Sequence, residues 1–394
     1  MPIGNKGQTV PEGSPYARHL PPLDGIRGLA VLGVAGSHLF PGNAHSAIED
    51  AVRSILGFGS AGVDLFFVLS GFLITGILYD SLPDPKFFRK FYARRVLRIF
   101  PLYYGVLASF GLAALVFGLN FHNELLSLAL YLQNTSLIAP PIRNYTGPTM
   151  LPLPHFWTLA IEEQFYFVWP ITVFFLRHRR RLLIFCISAI LFCPLLRIAL
   201  LLHGMNFFLV QSNTVCRADS LLAGGALALL LRSRIHDIAL RAGGWLFVGG
   251  LLTYNLLKLL LSGRIMPISP SDFLIILSLI ISSITAASTG LIALALHAKP
   301  FKIFFSIKPM RWIGRYSYGI YILHLILFTY LEEPVRKAIR SHLTADKGVT
   351  VVLSGLLIFC ISLLCAYLSY NLYEKRFLRL KRFFDYRPHV GSAN

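Results

Sequence analysis

Ten stretches of this chain are apolar for about twenty residues each, and that pattern constrains the fold more than any other feature. About twenty residues of α-helix reach across a hydrocarbon core of roughly 30 Å. The stretches are 23–40, 62–80, 101–119, 157–176, 182–203, 214–232, 243–261, 271–297, 313–332 and 349–374. Inside lipid every backbone polar group must be satisfied within its own segment. The pattern therefore predicts an all-α integral membrane protein of about ten transmembrane helices. Hydrophobic residues are 55% of the chain and charged residues 14%, which excludes an ordinary soluble domain. A net charge of +19 would suit nucleic acid. Here the basic residues lie between apolar spans, so the lipid bilayer is the expected partner and nucleic acid is not.

Charge placement sets the orientation. With the N-terminus and C-terminus both cytoplasmic, the inner segments hold most of the Lys and Arg. The outer ones hold only Arg53, Arg143, Arg264 and four residues between 333 and 348. Counting the apolar stretch 121–138 as an eleventh span would turn Arg177, Arg179, Arg180 and Arg181 outward, so it is read as a re-entrant or interfacial helix. Residues 1–20 read as a disordered cytoplasmic lead, 21–377 as one polytopic domain, and 378–394 as a basic cytoplasmic tail suited to lying on the inner leaflet. The first span is expected to be retained, because a long polar lead precedes it and Arg27 interrupts it. The five cysteines form no CxxC pair, and one histidine with scattered acids lacks metal-ligand spacing, so no metal is expected.

Ionisable residues inside such spans are costly and usually face the protein interior. Arg27 and His38 are eleven residues apart, which puts them on one face of a helix about 16 Å apart in depth. The topology brings Asp64, Glu162, Glu163, Arg217 and Asp219 to the outer depth of His38. Each alone reads as an ion pair or interfacial residue; together they form a candidate site. A carboxylate beside a histidine holds the imidazole as a general base able to deprotonate a hydroxyl. Glu163 is preferred to Glu162 as that carboxylate, with Asp64 as the third candidate. His324 reads as a core histidine bonded to a neighbouring helix, less sensitive to mutation than His38. Trp157 and Trp169 bracket their span as anchors or packing. On the cytoplasmic side, KFFRKFYARRVLRIFP pairs Arg94 with Arg98, and Arg95 with Arg98, on one helical face. Guanidinium groups bind phosphate oxygens bidentately, so a phosphate-bearing ligand or anionic lipid fits there.

Taken together, several motifs resemble the acyltransferase-3 family of bacterial integral-membrane acyltransferases. They are Arg27 with ten residues before His38, FFVLSGF at 66–72, Arg95-x-x-Arg98 in RRVLRIFP, WTLAIEEQFY at 157–166, RAD at 217–219, and GRYSYGIYILH at 314–324. They run in family order over nearly the whole chain. The resemblance implies ten core helices in the bacterial cytoplasmic membrane, and acyl-CoA, commonly acetyl-CoA, as donor. It also implies a glycan or lipid-linked saccharide as acceptor and a functional Arg27/His38 pair. The extracytoplasmic SGNH-type domain of some relatives, and any transfer step housed there, is not expected in this chain. On this reading Arg95, Arg98, Arg94 and Arg27 take the donor phosphates, and Ser70 and Gly71 line the way for the pantetheine arm. An arm of about 15–20 Å covers half to two-thirds of the core. Arg217, Asp219 and Trp157 are assigned to the acceptor. A secondary transporter or a lipid-binding scaffold would also use buried or basic charges, but no inverted repeat is visible.

Overall fold

In lipid, the helix alone satisfies the backbone of a single spanning segment, and the chain obeys that rule throughout. A computed structural model describes residues 20–39, 59–135, 137, 151–263, 267–344 and 346–386. Every regular element among them is helical. The helices are α1 Pro21–Leu39, α2 Gly59–Asp80, α3 Phe87–Phe117, α4 His122–Ala129, α5 Trp157–Leu176, α6 Arg179–Leu202, α7 Phe207–Ser212, α8 Thr214–Leu230, α9 His236–Leu261, α10 Pro270–His297, α11 Lys299–Ser306, α12 Lys308–His342, α13 Lys347–Ser369 and α14 Lys375–Arg379. A helix of 17 residues or more stands at each of the ten stretches read as spans. Seven of these, α2, α3, α5, α6, α9, α10 and α13, are long and apolar enough to cross a membrane.

Two of the remaining three differ for a physical reason. Helices α1 and α8 sit at the centre of the bundle, with most of their residues buried, so their surroundings are protein rather than lipid. They can therefore carry Asp24, Arg27, His38, Arg217 and Asp219. The outer helices show the opposite pattern. Only 22% of the apolar window of α6 and 11% of that of α9 is buried. Their apolar side chains are the ones left to face lipid.

Glycines set the closest helix contacts. A Cβ added at Gly71 of α2 would strike the Leu221 carbonyl of α8, and one at Gly224 would strike the Val68 carbonyl. Gly28 of α1 and Gly314 of α12 form the same kind of contact, against the Met310 and Asp24 carbonyls. Gly71 is thus spent on packing and does not line a passage, which corrects the sequence reading; its neighbour Ser70 does line one. Gly71→Leu should destabilise the fold by about 1–3 kcal/mol through overpacking. Gly249→Leu, where nothing lies within 4 Å, should be nearly neutral. Melting of the two variants in detergent checks the contrast.

Three segments show detail beyond the sequence reading. The basic stretch before span three is part of one 31-residue helix that runs through Pro101 and ends at Gly118, whose φ of 65° suits a glycine C-cap. The stretch 121–138 forms only the eight-residue α4, about 12 Å long, before the chain turns at Tyr131. It is too short to span. The Tyr103 and Tyr104 hydroxyls donate to the carbonyls of Leu128 (2.7 Å) and Ala129 (2.8 Å), tying the end of α4 to α3. At the C-terminus, a π-helical turn Tyr370–Glu374 leads through α14 to a 3-10 turn, Leu380–Phe384. That end docks on α3. Arg94 Nη1 donates to Asp385 (2.5 Å) and to the carbonyls of Phe384 (3.3 Å) and Lys381 (3.4 Å). The rest of the tail, 387–394, lies outside the described residues, as do 1–19 of the lead.

Candidate active site

Arg27 and His38 stand at opposite ends of α1, and a chain of cavities runs between them. An inner cavity is lined by Arg27, Arg98, Arg315 and Lys381. A central one shares Arg27, Arg98 and Tyr318 with it, and adds Ser70, Arg95, Glu162 and Tyr166. An outer cavity shares Val63, Thr158 and Tyr321 with the central one. Its own walls include His38, His155, Trp157 and Arg217. Through these shared wall residues the three adjoin in series, from a basic mouth to a histidine.

The basic end is assembled from α1 and α3. Arg27 Nη1 donates to Asp24 Oδ1 at 3.1 Å, one turn back on the same helix. Arg95 lies over the rings of Tyr166 (5.0 Å) and Phe91 (5.8 Å), and among the described residues it forms no ion pair. Tyr166 is hydrogen-bonded to Ser70. Glu162 sits beside both and faces Arg95. One residue on, about 100° round α5, Glu163 lines a further cavity with Tyr92, Tyr131 and Gln164, which shares Arg95 and Tyr166 with the central one. Arg95, Arg98, Arg27 and Ser70 therefore meet as the sequence reading expected. Arg94 does not join them, because it clamps the C-terminal segment.

At the other end, His38 Nδ1 lies 2.9 Å from Nε2 of His324, a fully buried residue of α12. The tautomers follow from the backbone. His324 Nδ1 lies 2.8 Å from the Tyr321 carbonyl and 3.1 Å from that of Ile320, and carbonyls only accept. His324 Nδ1 must then carry the proton, which leaves its Nε2 as an acceptor. His38 Nδ1–H donates to it, and Nε2 of His38 becomes the basic nitrogen. The orienting task given to Glu163, Glu162 or Asp64 is filled at Nδ1 by a second histidine. His155 completes the cluster, with its ring centroid 5.0 Å from that of His324.

The acids placed at the same depth have other partners. Asp64 accepts from Arg217 Nη2 (2.6 Å) and Ser220 Oγ (2.9 Å). Asp219 pairs with Arg197 at 2.8 Å, deep between α6 and α8, and Arg197 also donates to the side chains of Ser278 (3.2 Å) and Ser282 (2.8 Å). Both pairs are buried, and removing one partner would strand a charge. Asp64 and Asp219 are thus held in buried ion pairs, and Asp219 does not line the outer cavity. Arg217 and Trp157 do. Asn213 fixes Arg217 by capping α8, its side chain accepting from Val215 N (2.9 Å) and Cys216 N (3.2 Å). Sequence reasoning overlooked Arg197, although an arginine in an apolar span was the same signal that singled out Arg27. It also overlooked His155 and Lys381, which only the fold brings to these cavities.

The comparisons with known proteins identify the family. The acyltransferase 3 family model, described as an acyltransferase domain, matches residues 21–371. The chain is 31% identical over 366 residues to YrhL of Bacillus subtilis, covering 86% of this chain and 54% of that protein. It is 31% identical over 341 residues to the peptidoglycan O-acetyltransferase OatA of Listeria monocytogenes, covering 81% of this chain and 51% of the relative. The O-acetyltransferase OatA of Staphylococcus aureus is 29% identical over 340 residues, which cover 80% of this chain and 52% of that one. The chain thus spans about half the length of the curated relatives it matches. No solved structure matches it. With the match running from the first residue of α1 into the turn after α13, the chain belongs to the acyltransferase-3 family.

Proposed function

We propose that this chain is a membrane O-acyltransferase that moves an acyl group, acetyl in the first instance, from cytoplasmic acyl-CoA to a hydroxyl of an envelope glycan. Peptidoglycan is the first acceptor to test, since the Listeria relative bears its name. The single observation that carries this reading is the series of adjoining cavities from Arg27, Arg95 and Arg98 to His38. Along α1 its two ends are about 16 Å apart, which an extended pantetheine arm can cover. In this arrangement all ten long helices cross the bacterial cytoplasmic membrane, with both termini inside and the basic mouth facing the cytoplasm.

The residues then divide the work. Arg95, Arg98 and Arg27 hold the donor phosphates. Ser70, Glu162 and Tyr166 line the passage for the arm. The thioester carbon reaches the outer cavity beside the acceptor hydroxyl. His38 Nε2 takes the hydroxyl proton as the oxygen attacks the carbonyl carbon. The positive charge of Arg217 favours the oxyanion that forms. The carbon–sulfur bond breaks, and the departing sulfur receives the proton from His38. His324 keeps His38 in the right tautomer throughout.

Purified protein given acetyl-CoA should release free coenzyme A only when a glycan acceptor is present. A transporter or scaffold releases none. Arg95→Ala with Arg98→Ala should weaken coenzyme A binding by about 1.5–3 kcal/mol per lost charge-assisted contact, with the protein still folded. Titration of coenzyme A into the double variant checks this, and unchanged affinity would return both arginines to a purely topological role.

A further inference from the structure

The tail was expected to lie on a membrane surface, but it forms a wall of the inner cavity. Lys381 is carried there by the 3-10 turn after α14 and faces the same space as Arg27, Arg98 and Arg315. Arg94 holds the segment in place through Asp385 and the Lys381 and Phe384 carbonyls, and its guanidinium lies 5.3 Å from the centre of the Tyr386 ring. Four cations line this cavity against two carboxylates, Asp24 and Glu374. Asp24 accepts from Arg27, and Glu374 accepts from Ser369 at 3.0 Å. Among the described residues Lys381 has no carboxylate partner, and the charges nearest it are guanidiniums. Burial, and then the nearby guanidiniums, push the Lys381 ammonium down to about 7, and an anion bound among these cations would hold it charged. A compact ammonium suits a single phosphate group as a point charge, beside guanidiniums that bind such groups as forks.

We infer that the C-terminal segment 380–385 completes the donor site, and that Lys381 binds a phosphate of the donor's nucleotide end. This rests on the acyl-CoA reading above. The same cavity chemistry would accept the phosphate of an anionic lipid, so the test is run in phosphatidylcholine nanodiscs, where no net anionic headgroup is supplied. The full chain is titrated with coenzyme A. Lys381→Gln should weaken binding about tenfold, with an unchanged melting midpoint, and Lys381→Arg should stay within about threefold of the parent. Arg94→Ala, which releases the clamp without touching the cavity, should weaken binding by a smaller factor. Equal affinity in the parent and Lys381→Gln overturns the inference. It is equally overturned if Lys381→Gln changes binding only after anionic lipid is added, which assigns the lysine to the bilayer. A parent protein that binds no coenzyme A removes the donor reading itself, a separate and recognisable failure.

Discussion

His38→Ala should lower acceptor acylation by about 10²–10⁴, the loss typical of a missing general base, while coenzyme A still binds. A sugar hydroxyl is a poor nucleophile at neutral pH and must lose its proton as it attacks. Imidazole titrates near that pH, and the hydrogen bond from His38 Nδ1 to His324 leaves Nε2 to take the proton. The donor-binding arginines line other cavities, so donor affinity should not move. The check is single-turnover transfer beside coenzyme A titration. Wild-type transfer by His38→Ala would remove the active site from α1.

His324→Phe should cost almost as much, about 10²–10³ in turnover, again with donor affinity unchanged. Phenylalanine fills the space but accepts no hydrogen bond. His38 Nδ1–H then loses its partner in a half-buried setting, and the ring is free to turn or to switch tautomer. His324→Gln, which keeps an acceptor, should recover at least about tenfold of the loss. Because the two histidines act as one unit, the double variant His38→Ala/His324→Phe should be no slower than His38→Ala alone. A His324→Phe enzyme within about threefold of the parent would make His324 a packing residue, as its sequence context suggested.

His324 is the core histidine bonded to a neighbouring helix that its sequence context suggested, but which helix it meets was not legible. His324 lies 286 positions from His38, and nothing in GRYSYGIYILH says which helix its ring faces. Apolar length and basic flanks give an expected depth for each residue. They give no azimuth, because it depends on which face of each helix meets which neighbour. Depth alone grouped His38 with Glu162, Glu163, Asp64 and Asp219. The packing of α2 on α8 through Gly71 and Gly224 instead gave Asp64 to Arg217, and Arg197 took Asp219. A single step along α5 put Glu162 in the wall of the central cavity and Glu163 in that of a neighbouring cavity, which shares Arg95 and Tyr166 with it.

The sequence by itself determined the all-helical architecture, the positions of the ten long helices, the Arg27–His38 axis and the basic mouth at Arg95 and Arg98. Those features depend on local quantities: runs of apolar residues against a fixed lipid thickness, and residue spacing along one helix. The tertiary structure alone decided the pairing of His38 with His324, the ion pairs that hold Asp64 and Asp219, and the return of the tail to α3. A charge in a low-dielectric interior is held by whichever opposite charge or hydrogen-bond partner the packing brings within about 3 Å, and that neighbour can come from anywhere in the chain.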